Sequence, residues 1–361
     1  MRGNGATLTL VRQAKGGGWT QAKLAQEADV SQGRISKVES GLLELEGDAL
    51  AAVAAALEVP IDLLAVHEPT FAGGVSCVHH RRRKSKLTAT SARRIEGLTQ
   101  LVSMSTTRLL QEHPQPITLD LPEFPVESYD PAEAARRVRA QASIARNEPI
   151  PDVVQFVESL GIVVVRRDFG TDAQDGVSLR LPDRRPIIVV NTALPGDRLR
   201  LSVAHELGHL TLHGWQVATG EQDVEDEAFH FARELIAPEA VVRPNLTHLT
   251  ARDFRRLLDL KLEWGMSISA FIEMAKHTAA IDAEVYRTLR MRLNTLGWRT
   301  VEPGVVPDEH PHLINQVVDT QLDDLHRPVG KVASVALMLP APFKQHYMAH
   351  RTDAAGLGAD A

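Results

Sequence analysis

Cysteine is nearly absent from this 361-residue chain: Cys77 is the only one. That excludes a disulfide framework and a cysteine-built zinc cage, and it fits a reducing, cytoplasmic compartment. Long apolar runs are missing as well. No stretch approaches the roughly 20 residues that a membrane helix needs, and the N-terminus has no apolar signal-peptide core. The expected location is therefore the cytoplasm, with no membrane partner. Strong net charge is lacking too: 40 Lys and Arg against 46 Asp and Glu leave −6, which does not suggest a histone-like or membrane-surface protein. Internal repeats are not evident. With 43% hydrophobic residues, the chain can build real cores and is long enough for two or three domains.

What is present includes three chemical roles within five residues. His205-Glu206-Leu207-Gly208-His209 lies inside the apolar run Leu201 to Leu212. On a helix, positions i and i+4 share a face about a turn apart, so both imidazoles reach one metal ion. Glu206 sits beside the first His, where a carboxylate takes a proton from water activated by the metal. Glu206 is the expected general base, and zinc-dependent hydrolysis is the leading reading. A solvated His/Glu helix face is the competing one. Downstream, Ala228, Phe231, Ala232, Leu235 and Ile236 recur at three- and four-residue steps, which predicts a helix with one buried stripe, ended by Pro238. Glu225, Asp226 and Glu227 open it. Two His plus one carboxylate, with a fourth position left to water, is a catalytic zinc arrangement. Glu225, one turn before Phe229, is the first candidate for the third ligand and Glu227 the second, although acidic residues are favoured at helix N-termini without any metal. His213, four residues after His209, is expected to be a helix-terminal His near the C-terminal dipole.

The N-terminal region carries a second pattern. Thr20 to Ala28 reads as a short helix capped by Thr20, Asp29-Val30-Ser31 as a turn, and Gln32 to Glu39 as a second helix ending at Gly41. Two short helices joined by such a turn make a helix-turn-helix. Ile35 and Val38 face inward, while Ser31, Gln32, Arg34, Ser36 and Lys37 face out. With Gln21, these are the candidate DNA contacts, because Gln, Arg and Ser read base edges from the start of a recognition helix. Helices over Leu8 to Lys15 and Asp48 to Leu57, with Pro60 to Leu64 as a last turn, complete a five-helix unit. Residues 1–70 hold six basic and nine acidic side chains, a poor balance for phosphate binding by counterion release. The basic run His79 to Lys86 offers a remedy: Arg81, Arg82 and Arg83 could follow the duplex backbone as an arm, and a solvated linker has the same composition.

These residues carry two resemblances. The spacing T-Q-x-x-L-A-x-x-A-x-V-S-x-x-x-I-S-x-x-E-x-G resembles the Cro/C1 (XRE) repressor family. The pattern H-E-L-G-H-L-x-L-H, then E-x-E-A-x-x-F-A-x-E-L-I-x-P, resembles the ImmA/IrrE family of gluzincin-type metallopeptidases, from about Tyr129 to Arg299. Apolar strands at Gly161 to Val165 and Pro186 to Asn191, with Asp175-Gly176-Val177-Ser178 between them like that family's D-G-x-S stretch, fit the same likeness. The resemblance implies one zinc per chain on His205, His209 and Glu225, Glu206 as general base, and limited proteolysis of a protein partner such as a repressor. One position departs. Phe229 stands where the family has Asn, a group resembling the one that orients a metal-bound imidazole in related enzymes, and Phe accepts no hydrogen bond. Asp226 and His230 are the candidates to replace it.

The expected fold is multidomain and mainly α. A lambda-repressor-like helix-turn-helix unit spans 1–70, and a basic linker with a connecting or dimerising helix (Ile95 to Gln111) spans 71–128. An α+β zincin-like domain with a small β-sheet spans 129–300, and a tail of unread role spans 301–361. The expected function is a DNA-binding transcriptional regulator, a homodimer on a double-stranded operator, whose zinc metalloendopeptidase domain cleaves or senses through a protein partner. The alternative is a transcription factor whose metal domain is a non-hydrolytic sensor or scaffold. A structural module in a toxin–antitoxin or phage-regulatory complex is a third class.

Overall fold

The computed structural model describes residues 1–67, 87–114, 117–181, 185–213, 222–299 and 301–351. At the N-terminus, β1 (Arg2–Gly3), α1 (Gly5–Lys15), α2 (Gln21–Glu27), α3 (Gln32–Glu39), β2 (Leu45–Glu46), α4 (Gly47–Leu57) and α5 (Ile61–Leu64) close round one core that includes Leu24, Ile35 and Val53. The caps start the helices where the sequence places them: Thr20 accepts from the Lys23 N–H and Ser31 from the Arg34 N–H. The antiparallel pairing of β1 with β2 was not expected, since two-residue strands leave no alternation to read.

The next helix, α6 (Ala89–Gln111), connects the N-terminal unit to the rest of the chain. Its apolar residues are used inside the chain: Leu101 and Met104 join the N-terminal core, and Ile95, Val102 and Leu109 join a second core beneath the central sheet. Gly97 makes the crossing with α1 possible. A Cβ there would lie 2.8 Å from the Leu10 carbonyl oxygen and 3.0 Å from the Ala14 nitrogen. No helix among the described residues is long and apolar enough to cross a membrane.

The rest of the chain is built on a three-stranded sheet. α7 (Pro131–Gln141) and α8 (Val153–Ser159) precede β3 (Val163–Arg167), β4 (Gly176–Arg180) and β5 (Pro186–Asn191), which lie in the order β3-β5-β4. β5 runs parallel to β3 and antiparallel to β4. Six helices follow: α9 (Gly196–Leu212), α10 (Gln222–Ile236), α11 (Glu239–Leu246), α12 (Phe254–Trp264), α13 (Ile268–His277) and α14 (Ala283–Thr295). Strand alternation divides the apolar residues between two layers. Val164, Ile188 and Val190 enter the core shared with α7 to α14, while Val163, Val165, Val177, Leu179, Ile187 and Val189 enter the core on the other face. A sheet covered on both faces has almost continuously apolar strands.

That second face corrects the expectation of a tail after residue 300. α15 (Leu313–Asp319), a π-helical turn (Thr320–Asp324), α16 (Val329–Val335) and α17 (Pro340–Tyr347) cover it, with Val317, Val332 and Phe343 fully buried. The Pro-rich strap leading there is pinned by carboxylates at helix N-termini, where unpaired N–H groups need acceptors. Glu302 accepts from the Ile268 and Ser269 N–H groups (2.7 and 2.9 Å) and Glu309 from those of Val153 and Val154 (both 3.0 Å). In return Glu158 of α8 accepts from the N–H groups of His312 and Leu313 (2.8 and 3.1 Å), at the start of α15.

Burial pushes the Glu158 carboxyl up to about 7, against the pull of the His312, Leu313 and Val164 N–H groups. A carboxyl raised on folding contributes stability that is complete below its unfolded value near 4.5 and is lost as pH rises through 7. Glu158→Gln keeps an acceptor for both N–H groups and cannot ionise. It is expected to match the wild type near pH 4.5 and to exceed it at pH 8 by on the order of 1–3 kcal/mol. Denaturant unfolding at the two pH values checks this, and a variant weaker than wild type at pH 8 would contradict it.

Candidate metal centre and nucleic-acid face

Helix α9 is buried on almost every side, as expected for a helix apolar all round. Its buried polar residues therefore need partners. The helical period brings His205 and His209 to one face, with their Nε2 atoms 3.0 Å apart. Glu225, from the first turn of α10, completes the group: its Oε2 is 3.5 Å from His205 Nε2 and its Oε1 is 3.2 Å from His209 Nε2. Gly208 lets α10 come this close. A Cβ there would meet Phe231 Cδ1 at 3.1 Å and the Ala228 carbonyl oxygen at 3.2 Å.

These residues fit a zinc ion. Tetrahedral bonds of about 2.0–2.1 Å space the donors roughly 3.3 Å apart, and the observed separations bracket that value. The Glu225 side chain is also largely buried, with only the two imidazoles beside its oxygens, a costly state for a carboxylate unless something charged joins it. Burial alone would raise the Glu225 pKa, but hydrogen bonds and charge from His205 and His209 outweigh it and hold the carboxyl down at about 2. The third donor is thus an anion at neutral pH.

Glu206 is the neighbour of this group and is held by the sheet. Ser178 Oγ donates to Glu206 Oε2 at 2.8 Å. Alternation along β4 turns Gly176 and Ser178 toward α9 and sends Val177 and Leu179 into the opposite core. A Cβ on Gly176 would lie 3.3 Å from Glu206 Cγ, so the glycine leaves room for the carboxylate. Asp175 accepts two hydrogen bonds from Arg198 (2.6 and 2.7 Å), tying the start of β4 to the first turn of α9. The D-G-x-S stretch thereby acquires a purpose that its letters alone did not give: Ser178 belongs to the site.

At the other end of the chain, Ser31, Gln32 and Lys37 are exposed at or along α3, and Arg34 and Ser36 are half-buried. Four basic residues of this unit are neutralised, Arg2 by Glu44, Arg12 by Glu39, Lys15 by Glu58 and Lys23 by Glu27. Arg34 and Lys37 pair with no carboxylate among the described residues, which leaves uncompensated positive charge on α3. Gln21 is placed differently from the other candidates: its amide donates to Glu39 Oε2 at 2.8 Å, the carboxylate that also holds Arg12. Arg81, Arg82 and Arg83 lie outside the described residues.

Residues 157–276 match the family model of the IrrE N-terminal-like domain, a peptidase family, and residues 11–64 match a helix-turn-helix family model. The chain joins a helix-turn-helix domain to an IrrE N-terminal-like domain. No curated protein matches it. The IrrE-like match contains His205, Glu206, His209, Glu225 and Ser178, whereas α7, α14 and the helices from α15 onward lie outside it.

Within the IrrE-like domain, the support of the two imidazoles is unequal. Phe229 lays its ring 4.1 Å from that of His205 and offers no acceptor. Among the described residues His205 Nδ1 is buried without a hydrogen-bond partner, so neither Asp226 nor His230 takes the place expected of it. His213 departs from expectation in the opposite sense. It is the C-cap of α9, yet its Nδ1 is 3.1 Å from His209 Nδ1 and its Nε2 is 3.0 Å from Glu227 Oε2. Glu227, the second candidate for the ligand, stands behind His213 instead. Its pKa is raised by burial and then by Asp223 and Glu127, with His209 opposing.

Proposed function

We propose that the chain is a DNA-binding transcriptional regulator whose IrrE-like domain holds one zinc through His205, His209 and Glu225 and hydrolyses a peptide bond of a protein partner. The observation that carries this reading is the three-donor group with tetrahedral spacing, set beside a buried Glu206 that Ser178 holds in place. Zinc bound there supplies Lewis acidity, which polarises a carbonyl and makes a water more acidic. Glu206 takes the proton of the attacking water and returns it to the leaving amine. The hydrogen bond from Ser178 fixes the carboxylate that receives it. Burial of α9 excludes bulk solvent and strengthens each electrostatic contact.

A non-hydrolytic sensor is the second reading, favoured by a His205 Nδ1 that has no hydrogen-bond partner among the described residues. Comparing new protein N-termini in cells carrying the wild type or Glu206→Gln separates the two. A peptide bond cut only with the wild type supports hydrolysis, and identical termini alongside retained transcriptional control support sensing.

The other half of the reading is recognition of a double-stranded operator by α3. Arg34, at the start of the helix and paired with no carboxylate among the described residues, would read a base edge. Arg34→Ala is expected to cost about 1–3 kcal/mol at the cognate base and to relax sequence preference. Neutralising Arg81, Arg82 and Arg83 together is expected to weaken all sequences alike and flatten the salt dependence. Titration of matched specific and random duplexes at several salt concentrations checks both. If Arg34→Ala binds both duplexes like the wild type, the N-terminal unit is a protein-interaction module.

A further inference from the structure

We propose that His213 and Glu227 are positioning residues that hold His209 in its ligating orientation, and that the affinity of the centre for metal rests on this pair. The inference builds on the reading of His205, His209 and Glu225 as ligands. Both Nε2 atoms of the His pair face the same point, so the Nε2 of a ligating His209 carries no proton and its Nδ1 does. Nδ1–H then donates to His213 Nδ1 at 3.1 Å, which leaves the His213 proton on Nε2, where it donates to Glu227 Oε2 at 3.0 Å. Every group in the chain has one role, and the tautomers agree throughout.

The surroundings make this more than a surface ion pair. The His213 side chain is 7% exposed and the Glu227 side chain 30%, so the contact is partly withdrawn from water and its orientation is restrained. The three groups come from the end of α9 and the first turns of α10, the two helices that also supply the ligands. Among the described residues His205 has no such support: its Nδ1 has no hydrogen-bond partner there and its neighbour is the Phe229 ring. With one imidazole unsupported, the other carries the burden of orientation.

The test measures zinc dissociation from the full-length chain by chelator competition, with the visible spectrum of a cobalt-substituted sample as a second readout. His213→Phe is expected to weaken zinc by roughly ten- to a hundredfold, the usual cost of losing a group that orients a ligating His. Glu227→Leu is expected to weaken it less, and Glu227→Gln to stay near wild type, because an amide oxygen still accepts from His213 Nε2–H. Adding Glu227→Leu to His213→Phe should cost nothing further, since Glu227 acts only through His213. The cobalt spectrum should shift with His213→Phe and not with Glu227→Gln. If the wild type binds zinc tightly and His213→Phe binds it equally well with an unshifted spectrum, the positioning role is overturned while the ligand assignment stands. A Glu227→Gln variant as weak as Glu227→Leu also overturns it. If the wild type itself holds no zinc, the ligand assignment fails first.

Discussion

Glu206→Gln is expected to bind metal like the wild type and to lose cleavage, with a rate lower by roughly 10²–10⁴. The amide is nearly isosteric with the carboxylate, and its oxygen can still accept from Ser178 Oγ, so the packing of β4 against α9 is preserved. What disappears is the ability to take a proton from water. Glu206 also lies outside the three-donor group, so metal content is unaffected. Elemental analysis together with a cleavage assay on the protein partner checks both halves. A Gln variant that cleaves at the wild-type rate removes Glu206 from the reaction.

His205→Ala is expected to empty the centre. With the imidazole gone, two donors remain, His209 and Glu225, and a site with two protein ligands holds zinc far more weakly than one with three. The carboxylate of Glu225 also loses one of the two imidazoles that hydrogen-bond to it. The N-terminal unit has its own core, so DNA binding by the same variant is expected to persist. Stoichiometric zinc in the wild type, near-zero zinc in His205→Ala and unchanged duplex binding form the expected set. Unchanged zinc in His205→Ala would remove the ligand assignment.

The parts legible in the sequence are those encoded locally. Caps such as Thr20 and Ser31, and the three- and four-residue recurrence of Ala228, Phe231, Ala232, Leu235 and Ile236, are determined within a turn or two of helix. The His pair belongs to the same class, because five residues of one helix suffice to align it. Glu225 was legible as the first candidate in the opening turn of the next helix, which a short connection would let face that pair.

What escaped depends on which segments meet in space. Ser178 and Glu206 are joined across a strand and a helix, and nothing within four letters says which helix D-G-x-S will face. His213 has an ordinary helix-terminal context until α10 brings Glu227 beside it. The segment after residue 300 was unreadable because α15 and α16 have only seven residues each, too few to display a stripe. Its acidic residues resemble a solvated linker until Glu302 and Glu309 are seen at the N-termini of α13 and α8.

The most direct test of the central claim is diffraction from crystals of the zinc-loaded full-length chain, recorded on both sides of the zinc absorption edge. One strong anomalous peak per chain is expected, within bonding distance of His205 Nε2, His209 Nε2 and the Glu225 carboxylate. A peak at a different group of residues, or none at this one in zinc-replete crystals, would contradict it.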